Sequence, residues 1–411
     1  MTSKRNLILI LIAVVVFSGL LARYLDRVPK RHYCDFRVYY KAGGDILQGK
    51  DIYLRDKEEV TPYKYSPFFA FVFAPLSMLP IKGAAAVFFA INFILTILLF
   101  ILSWKLLNHP PVFKPLSDRG RLLVYGLVLL CSMRYIFLVW DSGQVNVLMC
   151  FLVVAGLFFV SRNKDMMAGA LFAAAILIKY TPAIFLPYFL VNKKPKVVLW
   201  TIAFVAIFLA LPSVMVGVSK EVSYLSSWLP SIIGTSLDTQ SYLDHKNQSL
   251  FSMILRFFSV TKYNVHILSL SFHQALLVGY GLALLLYLVA FIPTKRGLRN
   301  SVIDYALLII CTALFNPNGW LFNFVSLLLP YMLLICYAFM AKTKDRYVLL
   351  SLIAAFVVPN LMCKDFVGKN LETFGQVYSF TTIGALILFA ALIKLKFFTK
   401  ATTKLDFKQA G

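Results

Sequence analysis

The stretch HYCDFRVYYKAGGDILQGKDIY, residues 32–53, brings three aspartates, Asp35, Asp45 and Asp51, together with Tyr39, Tyr40 and Tyr53. A carboxylate held at an apolar boundary can act as a general base, taking the proton from a hydroxyl as that hydroxyl attacks an electrophile. The tyrosines offer flat faces and hydroxyls to a sugar, and the same residue type is enriched at membrane surfaces without any ligand. Phe36, Tyr39, Tyr40, Gly43, Ile46 and Leu47 recur at helical spacing, which predicts a short helix lying with one apolar face on the membrane surface. Asp35 then stands at the N-cap and Gly49 at the C-terminal turn. Spacing alone makes Asp35 a cap, a role that would also fix its carboxylate in place, and leaves the choice among the three aspartates open.

Other groups carry cations and amides. LDHKNQSLFSMILRFF (243–258) gathers His245, Lys246, Asn247, Gln248 and Arg256, where cations can hold a phosphate, Arg through two parallel hydrogen bonds. The same segment also reads as an amphipathic helix starting near Asn247, and Asn247-Gln248-Ser249 fits a glycosylation acceptor. Lys179, in AILIKYTPAIFLP, lies inside an apolar run, where a charge is costly and marks a functional position unless it snorkels past the break at Pro182. Gln144 and Asn146 of WDSGQVN and Trp320 of NPNGW complete the candidate substrate-binding set, while Arg134 and Asp141 are expected to pair with each other. No Walker loop, zinc-type histidine pair, serine elbow or Asp-x-Asp pair is present in the sequence. A donor that needs neither metal nor nucleotide fits this set, and no cofactor is expected.

These groups need a membrane frame to position them. Of the 411 residues 60% are hydrophobic and 14% charged, against roughly a quarter charged in a soluble domain. Lys and Arg outnumber Asp and Glu 41 to 18, but the cations cluster in short segments between apolar runs, as in a membrane protein, and no nucleic acid is expected as a partner. The six cysteines show no metal spacing. A helix needs about twenty apolar residues to cross, which marks twelve spans: 6–23, 66–80, 82–106, 121–139, 145–160, 167–191, 197–217, 268–292, 301–315, 320–341, 346–362 and 376–393.

With Lys4 and Arg5 in the cytoplasm, alternation places NKKPK (192–196), TKRGLRN (294–300), KTKDR (342–346) and the tail from Lys394 there too. It places 24–65, 218–267, 363–375 and the NPNGW turn outside. Parity also leaves WDSGQVN at the cytoplasmic end and puts 107–120 outside despite His109, Lys114, Arg119 and Arg121. If Gln144 and Asn146 belong to the outer site, one short segment must dip in and return, buried in protein or lining water. The expected organisation is one multispanning domain over 1–393, with external loops at about 24–65 and 218–267, then a basic cytoplasmic tail over 394–411.

In order along the chain, CDFRVYYKAGGDILQGKDIY, YKYSPFFAFVFAPLSMLP, SGQVNVLMCFLVVAGLFFVSRNKDMMAGALFAAAILIKYTPAIFLPYFLVNKK and HKNQSLFSMILRFF resemble the glycosyltransferase 87 family. These are multispanning transferases of the GT-C class, typified by polyprenyl-phosphate-mannose-dependent mannosyltransferases. The likeness runs over roughly residues 30–330, each piece short, their order and spacing together specific. It implies an all-α polytopic membrane protein, a GT-C-type bundle of about 12 transmembrane helices with external amphipathic helices.

By the same resemblance, a hexose, usually mannose, passes from a polyprenyl-phosphate donor to a hydroxyl of a lipid or glycan acceptor at the outer face of the plasma membrane. Asp35 maps onto the base, and inversion follows from direct attack opposite the leaving phosphate. Residue chemistry then gives Lys179, His245, Lys246 and Arg256 the departing phosphate, and Tyr39, Tyr40, Tyr53, Gln144, Asn146, Asn247, Gln248 and Trp320 the substrates. The family often carries Ser-Pro, then Trp, then His late in the chain. Here NPNGWLFNF (316–324) keeps Pro317 and Trp320 but has Phe322 and Asn323 where the histidine is expected. Two other classes are weighed against this one. A lipid-linked sugar transporter or flippase predicts related halves and a polar path through the bilayer, and a non-catalytic envelope-assembly protein would tolerate loss of Asp35 and Lys179 together.

Overall fold

The computed structural model describes residues 2–28, 35–54, 62–108, 116–236, 239–293, 301–340 and 345–398. Cys34 of the opening stretch, the TKRGLRN loop and the tail beyond residue 398 lie outside the described residues. In chain order the first helices are α1 (Thr2–Arg27), α2 (Asp35–Leu47), α3 (Pro67–Ser77), α4 (Ile81–Leu107), α5 (Asp118–Ser142), α6 (Asn146–Ser161) and α7 (Asp165–Ile178). A 3-10 turn over Thr181–Ile184 leads into α8 (Phe185–Val191), followed by α9 (Pro195–Ala210), α10 (Ser213–Val216), α11 (Val218–Ser236), α12 (Thr239–Leu243), α13 (Leu250–Phe258) and α14 (Phe272–Val289). After α15 (Ser301–Leu314), a 3-10 segment Leu321–Leu327 continues as α16 (Leu328–Met340), then α17 (Arg346–Asn360), α18 (Lys364–Val377) and α19 (Phe380–Phe398). No β-strand occurs among the described residues, and the chain is an all-α, multi-pass membrane protein.

Length and apolarity qualify six described helices to cross a membrane, or seven if α17 and α18, bent by 88°, count as one span. Pro67–Ser77, Asn146–Ser161, Asp165–Ile178, Thr181–Val191 and Val302–Leu314 are shorter apolar helices that complete the frame. Two segments differ in layout from the expected map. The segment 66–80 forms α3, only 11 residues and about 16 Å long, half of a bilayer core of about 30 Å. It lies along α2, with Ser77 Oγ donating to the Tyr40 carbonyl at 2.7 Å and Tyr40 Oη donating to the Leu79 carbonyl at 2.8 Å. The segment 167–191, in contrast, is two legs: α7 ends at Ile178, Lys179 is extended (φ −145°, ψ 128°), and Pro182 is the second residue of the 3-10 turn.

With α3 lying on α2 and the chain turning back at Lys179, the turn after α6 stands at the same end of the bundle as the turn after α8, where alternation put the two at opposite ends. WDSGQVN moves to the end of the bundle that holds Asp35: Asp141 is the ion-pair partner of Arg27 at the end of α1. The turn after α6 moves to the other end, where Lys194 Nζ donates to Asn163 Oδ1 at 2.7 Å. The awkward dip at 140–146 thus becomes an ordinary α5–α6 turn. It is sharp because Gly143 adopts φ +64°, and a Cβ there would stand 2.7 Å from Phe36 Cβ.

At the far end, buried Lys396 pairs with Asp304 at 2.8 Å and donates to the Val289 and Ala290 carbonyls, while Tyr188 Oη donates to Asp304 at 2.9 Å. Those contacts tie α8, α14, α15 and α19 together. Arg134 and Asp141 do not pair. Seven positions along a helix separate them by about 10 Å, and Arg134 instead reaches Glu372 at 3.2 Å and the Pro359 carbonyl.

Candidate active site

A cavity of about 450 Å³ opens where the start of α2, the α5–α6 turn, the break after α7, helices α11 and α12 and the turn 316–320 converge. This is an ordinary size for a small-ligand site. Helix α2 brings Asp35 there as its first residue, because Phe36, Tyr39, Ala42, Gly43 and Ile46 form the buried face that packs on α3 and α4. Gly49, at φ +61°, ends the helix, its N–H donating to the Ile46 carbonyl. Of the three aspartates only Asp35 lines the cavity. Asp51 accepts the Tyr53 N–H at 2.9 Å, and half-buried Asp45 lies 3.9 Å from Lys41 one helical turn away.

Burial pushes the Asp35 carboxyl up to about 6, against the opposing pull of the Lys179 charge and a hydrogen bond from Gln144. Gln144 is buried, and its Oε1 accepts Tyr39 Oη at 3.4 Å while Tyr39 and Tyr65 hydroxyls meet at 2.9 Å. A row of Tyr65, Tyr39 and Gln144 therefore backs the carboxylate and turns the Gln144 amide toward it.

Lys179 shares the cavity wall. Its Nζ donates to Asn146 Oδ1 at 2.7 Å and Asn323 Oδ1 at 3.1 Å and sits 5.5 Å from the centre of the Phe322 ring. Asn146 Nδ2 donates to Asn323 Oδ1 at 2.7 Å, and Asn323 Nδ2 donates to the Asn318 carbonyl at 2.7 Å. An ammonium has three N–H donors, so two amide oxygens hold Lys179 in place with one donor left for a ligand. The broken helix is satisfied too: Ser66 Oγ donates to the Leu177 carbonyl at 2.6 Å. Phe322 and Asn323, the residues at the expected late histidine, both contact Lys179.

Trp320 lines the cavity with Gln144. Asn146 reaches it through Lys179, and Tyr39 through Gln144. Tyr40 and Tyr53 are not among the lining residues, and their hydroxyls donate to the carbonyls of Leu79 and Tyr65. The 243–258 group also turns away. Arg256 is fully buried, and its guanidinium donates to the Val377, Asp244 and Asn247 carbonyls and to Ser379 Oγ, at 2.7–3.1 Å. Asn247 Nδ2 donates to the Pro317 and Ser241 carbonyls, and its Oδ1 accepts the Ser249 and Gly319 N–H groups. Asn247 is thus closed off by its own backbone contacts and is no exposed glycan acceptor.

Gln248 binds the His245 and Gln376 carbonyls. His245 meets the Tyr263 hydroxyl at 3.1 Å, and burial lowers its basicity. Lys246 is exposed and, like His245, outside the cavity lining. Arg256, Asn247 and Gln248 are the frame that binds the 244–249 loop to the 316–320 turn and to the α18–α19 junction. The sequence reading passed over Lys64, Tyr65, Trp228, Ser241, Asp244 and Asn318, all cavity-lining. Polar residues beside Pro67 and Pro317 were the available signal.

The model of glycosyltransferase family 87 matches residues 63–317, more than half of the chain. The chain is 25% identical over 327 residues, 74% of its length and 70% of the relative's, to a polyprenol-phosphate-mannose-dependent alpha-(1-2)-phosphatidylinositol mannoside mannosyltransferase of Mycolicibacterium smegmatis. It is 24% identical over 233 residues to GPI mannosyltransferase 1 of Kluyveromyces lactis, covering 54% of this chain and 52% of that one. Against GPI mannosyltransferase 1 of Saccharomyces cerevisiae it is 26% identical over 246 residues, 56% and 55% of the two chains. It spans about half the length of the two yeast relatives.

Proposed function

The chain belongs to glycosyltransferase family 87, and from that premise we propose that this membrane glycosyltransferase moves mannose from a polyprenyl-phosphate donor to a lipid or glycan hydroxyl in the cavity beside Asp35. The observation that carries the reading is the presence, in one cavity, of a half-buried carboxylate and an amide-anchored lysine. Asp35 takes the acceptor proton as the acceptor oxygen bonds to the anomeric carbon. The bond from that carbon to the phosphate oxygen breaks, and its electron pair leaves with polyprenyl phosphate, which gains one negative charge. Lys179, already oriented by Asn146 and Asn323, faces that growing charge, the situation in which preorganised donors contribute most. Attack opposite the leaving group inverts the anomeric carbon.

The relatives' names support the donor class, since the mycobacterial enzyme is described as polyprenol-phosphate-mannose-dependent. Action at the outer face of the plasma membrane is supported by charge: Arg162, Lys164, Lys193, Lys194 and Lys196 all gather at the end of the bundle away from the cavity. The test is transfer by the purified protein in lipid, offered polyprenyl-phosphate mannose, nucleotide-mannose and a panel of lipid and glycan acceptors. A product from the polyprenyl donor alone, with the anomeric configuration opposite to the donor's, is expected. Transfer from the nucleotide sugar, or retention of configuration, overturns the reading.

A further inference from the structure

The wall of the cavity that continues from Lys179 is made of groups suited to reading sugar hydroxyls, and nothing in the chemistry above uses them. Asn323 leads to Asn318 through its carbonyl, and Asn318 Oδ1 accepts Ser241 Oγ at 2.6 Å. Beside Ser241 the cavity is lined by a second carboxylate, Asp244, and by Trp320. Asp244 is held hard. Its N–H donates to the Gln240 carbonyl, and its own carbonyl accepts the Asn247 N–H and buried Arg256. One carboxylate oxygen, Oδ1, accepts the Lys246 N–H at 2.8 Å and stands 3.3 Å from His245 Nδ1. Oδ2 accepts no hydrogen bond among the described residues, and Asp244 is one of the residues that line the cavity. An ionised carboxylate only accepts, and the natural complement inside a sugar site is a hydroxyl.

We propose that Asp244 is a specificity-determining residue that accepts a hydrogen bond from one ring hydroxyl of the transferred sugar, with Ser241, Asn318 and Trp320 completing that subsite. The proposal rests on the function proposed above and names the part of the cavity that selects the sugar. The donor's sugar, and not the acceptor's, is favoured because this wall is continuous with Lys179. The group bonded to the departing phosphate must lie next to whatever holds that phosphate. Asp35, Lys64 and Tyr65, on the α2–α3 side, are left for the acceptor.

The consequence is a particular pattern of discrimination. A site built to hydrogen-bond a hydroxyl rejects the analogue lacking it far more strongly than a pocket shaped only by size. The experiment compares kcat/KM of wild type, Asp244→Asn and Asp244→Ala for polyprenyl-phosphate mannose and its 2-, 3-, 4- and 6-deoxy forms. Asp244→Asn keeps the side-chain shape and the bond from the Lys246 N–H, so it remains informative if the alanine variant does not fold. One deoxy donor should be rejected by wild type on the order of 100-fold or more. For that donor alone the ratio should collapse toward one in both variants.

Ratios unchanged for every deoxy donor overturn the proposal, as does a loss confined to the KM for acceptor. If wild type uses no polyprenyl-phosphate sugar at all, the underlying function fails. If wild type transfers and Asp35→Asn does not, while the Asp244 ratios stay fixed, only the subsite fails.

Discussion

At the scale of single residues, the proposed site pairs a carboxylate with an ammonium, each with one proposed task. Asp35 must be ionised to accept a proton, and burial has moved it up to about 6. Below that value it is protonated and idle; above it the base is present. The expected kcat/KM profile therefore rises with pH through about 6 and levels off above it, measured as initial transfer rates at fixed donor. A flat profile between about pH 5 and 7 would count against Asp35.

Lys179→Met, which keeps the stem and removes the charge, should lower kcat on the order of 100-fold or more. Asn323→Ala, which removes one of the two lysine anchors, should lower it by about 10-fold, the worth of a hydrogen bond to a charged group. Asp35 was selected from its neighbours in sequence by family resemblance, and of the three aspartates it is the one that lines the cavity. Asn323 stood out in the sequence only as a departure from the expected histidine; its role as an anchor was hidden, because its partner is 144 positions away and only the break at Lys179 brings them together.

At the scale of elements, the site depends on loops pressed together by buried polar contacts. The NPNGW turn meets the 247–249 loop so closely that a Cβ on Gly319 would stand 2.7 Å from Ser249 Cα. Gly319→Ala should lower both stability and activity. Gly281→Ala in α14, with open space around it, should be neutral or stabilising in a helix interior. Thermal inactivation of the two variants in the same detergent checks the contrast. Arg256→Met leaves several buried carbonyls without a donor and should cost about 3 kcal/mol of stability. Donor KM should stay near wild type, as expected for a frame residue and not for a phosphate ligand. That distinction was hidden from the sequence, where an arginine in a polar loop reads equally well as either. The helical face of α2, by contrast, was legible, because periodicity is a local property and the packing of Phe36, Tyr39, Gly43 and Ile46 follows from it.

At the scale of the whole molecule, hydropathy located the apolar segments but did not show how two of them are laid out. A ruler of about twenty residues reads α3 as a span because Pro67–Ser77 is strongly apolar, and reads α7 to α8 as one span because the run continues through Lys179 and Pro182. Neither a helix lying on its neighbour nor a break lining a cavity changes composition. The resulting frame predicts sidedness. With the native cysteines replaced, single cysteines at Lys164 and Lys194 should be labelled from the same side of sealed vesicles, and one at Asp51 from the opposite side. Labelling of positions 164 and 194 from opposite sides would restore the single unbroken span.

Whether Asp35 acts as the base in sugar transfer within this cavity is decided by the single-turnover rate of Asp35→Asn in lipid. The substitution keeps shape and removes only the basic oxygen, so the variant should fold and bind polyprenyl-phosphate mannose as wild type does. It should transfer at least about 100-fold more slowly, without the rise in rate through pH 6. An Asp35→Asn protein that transfers mannose at the wild-type rate would contradict the account.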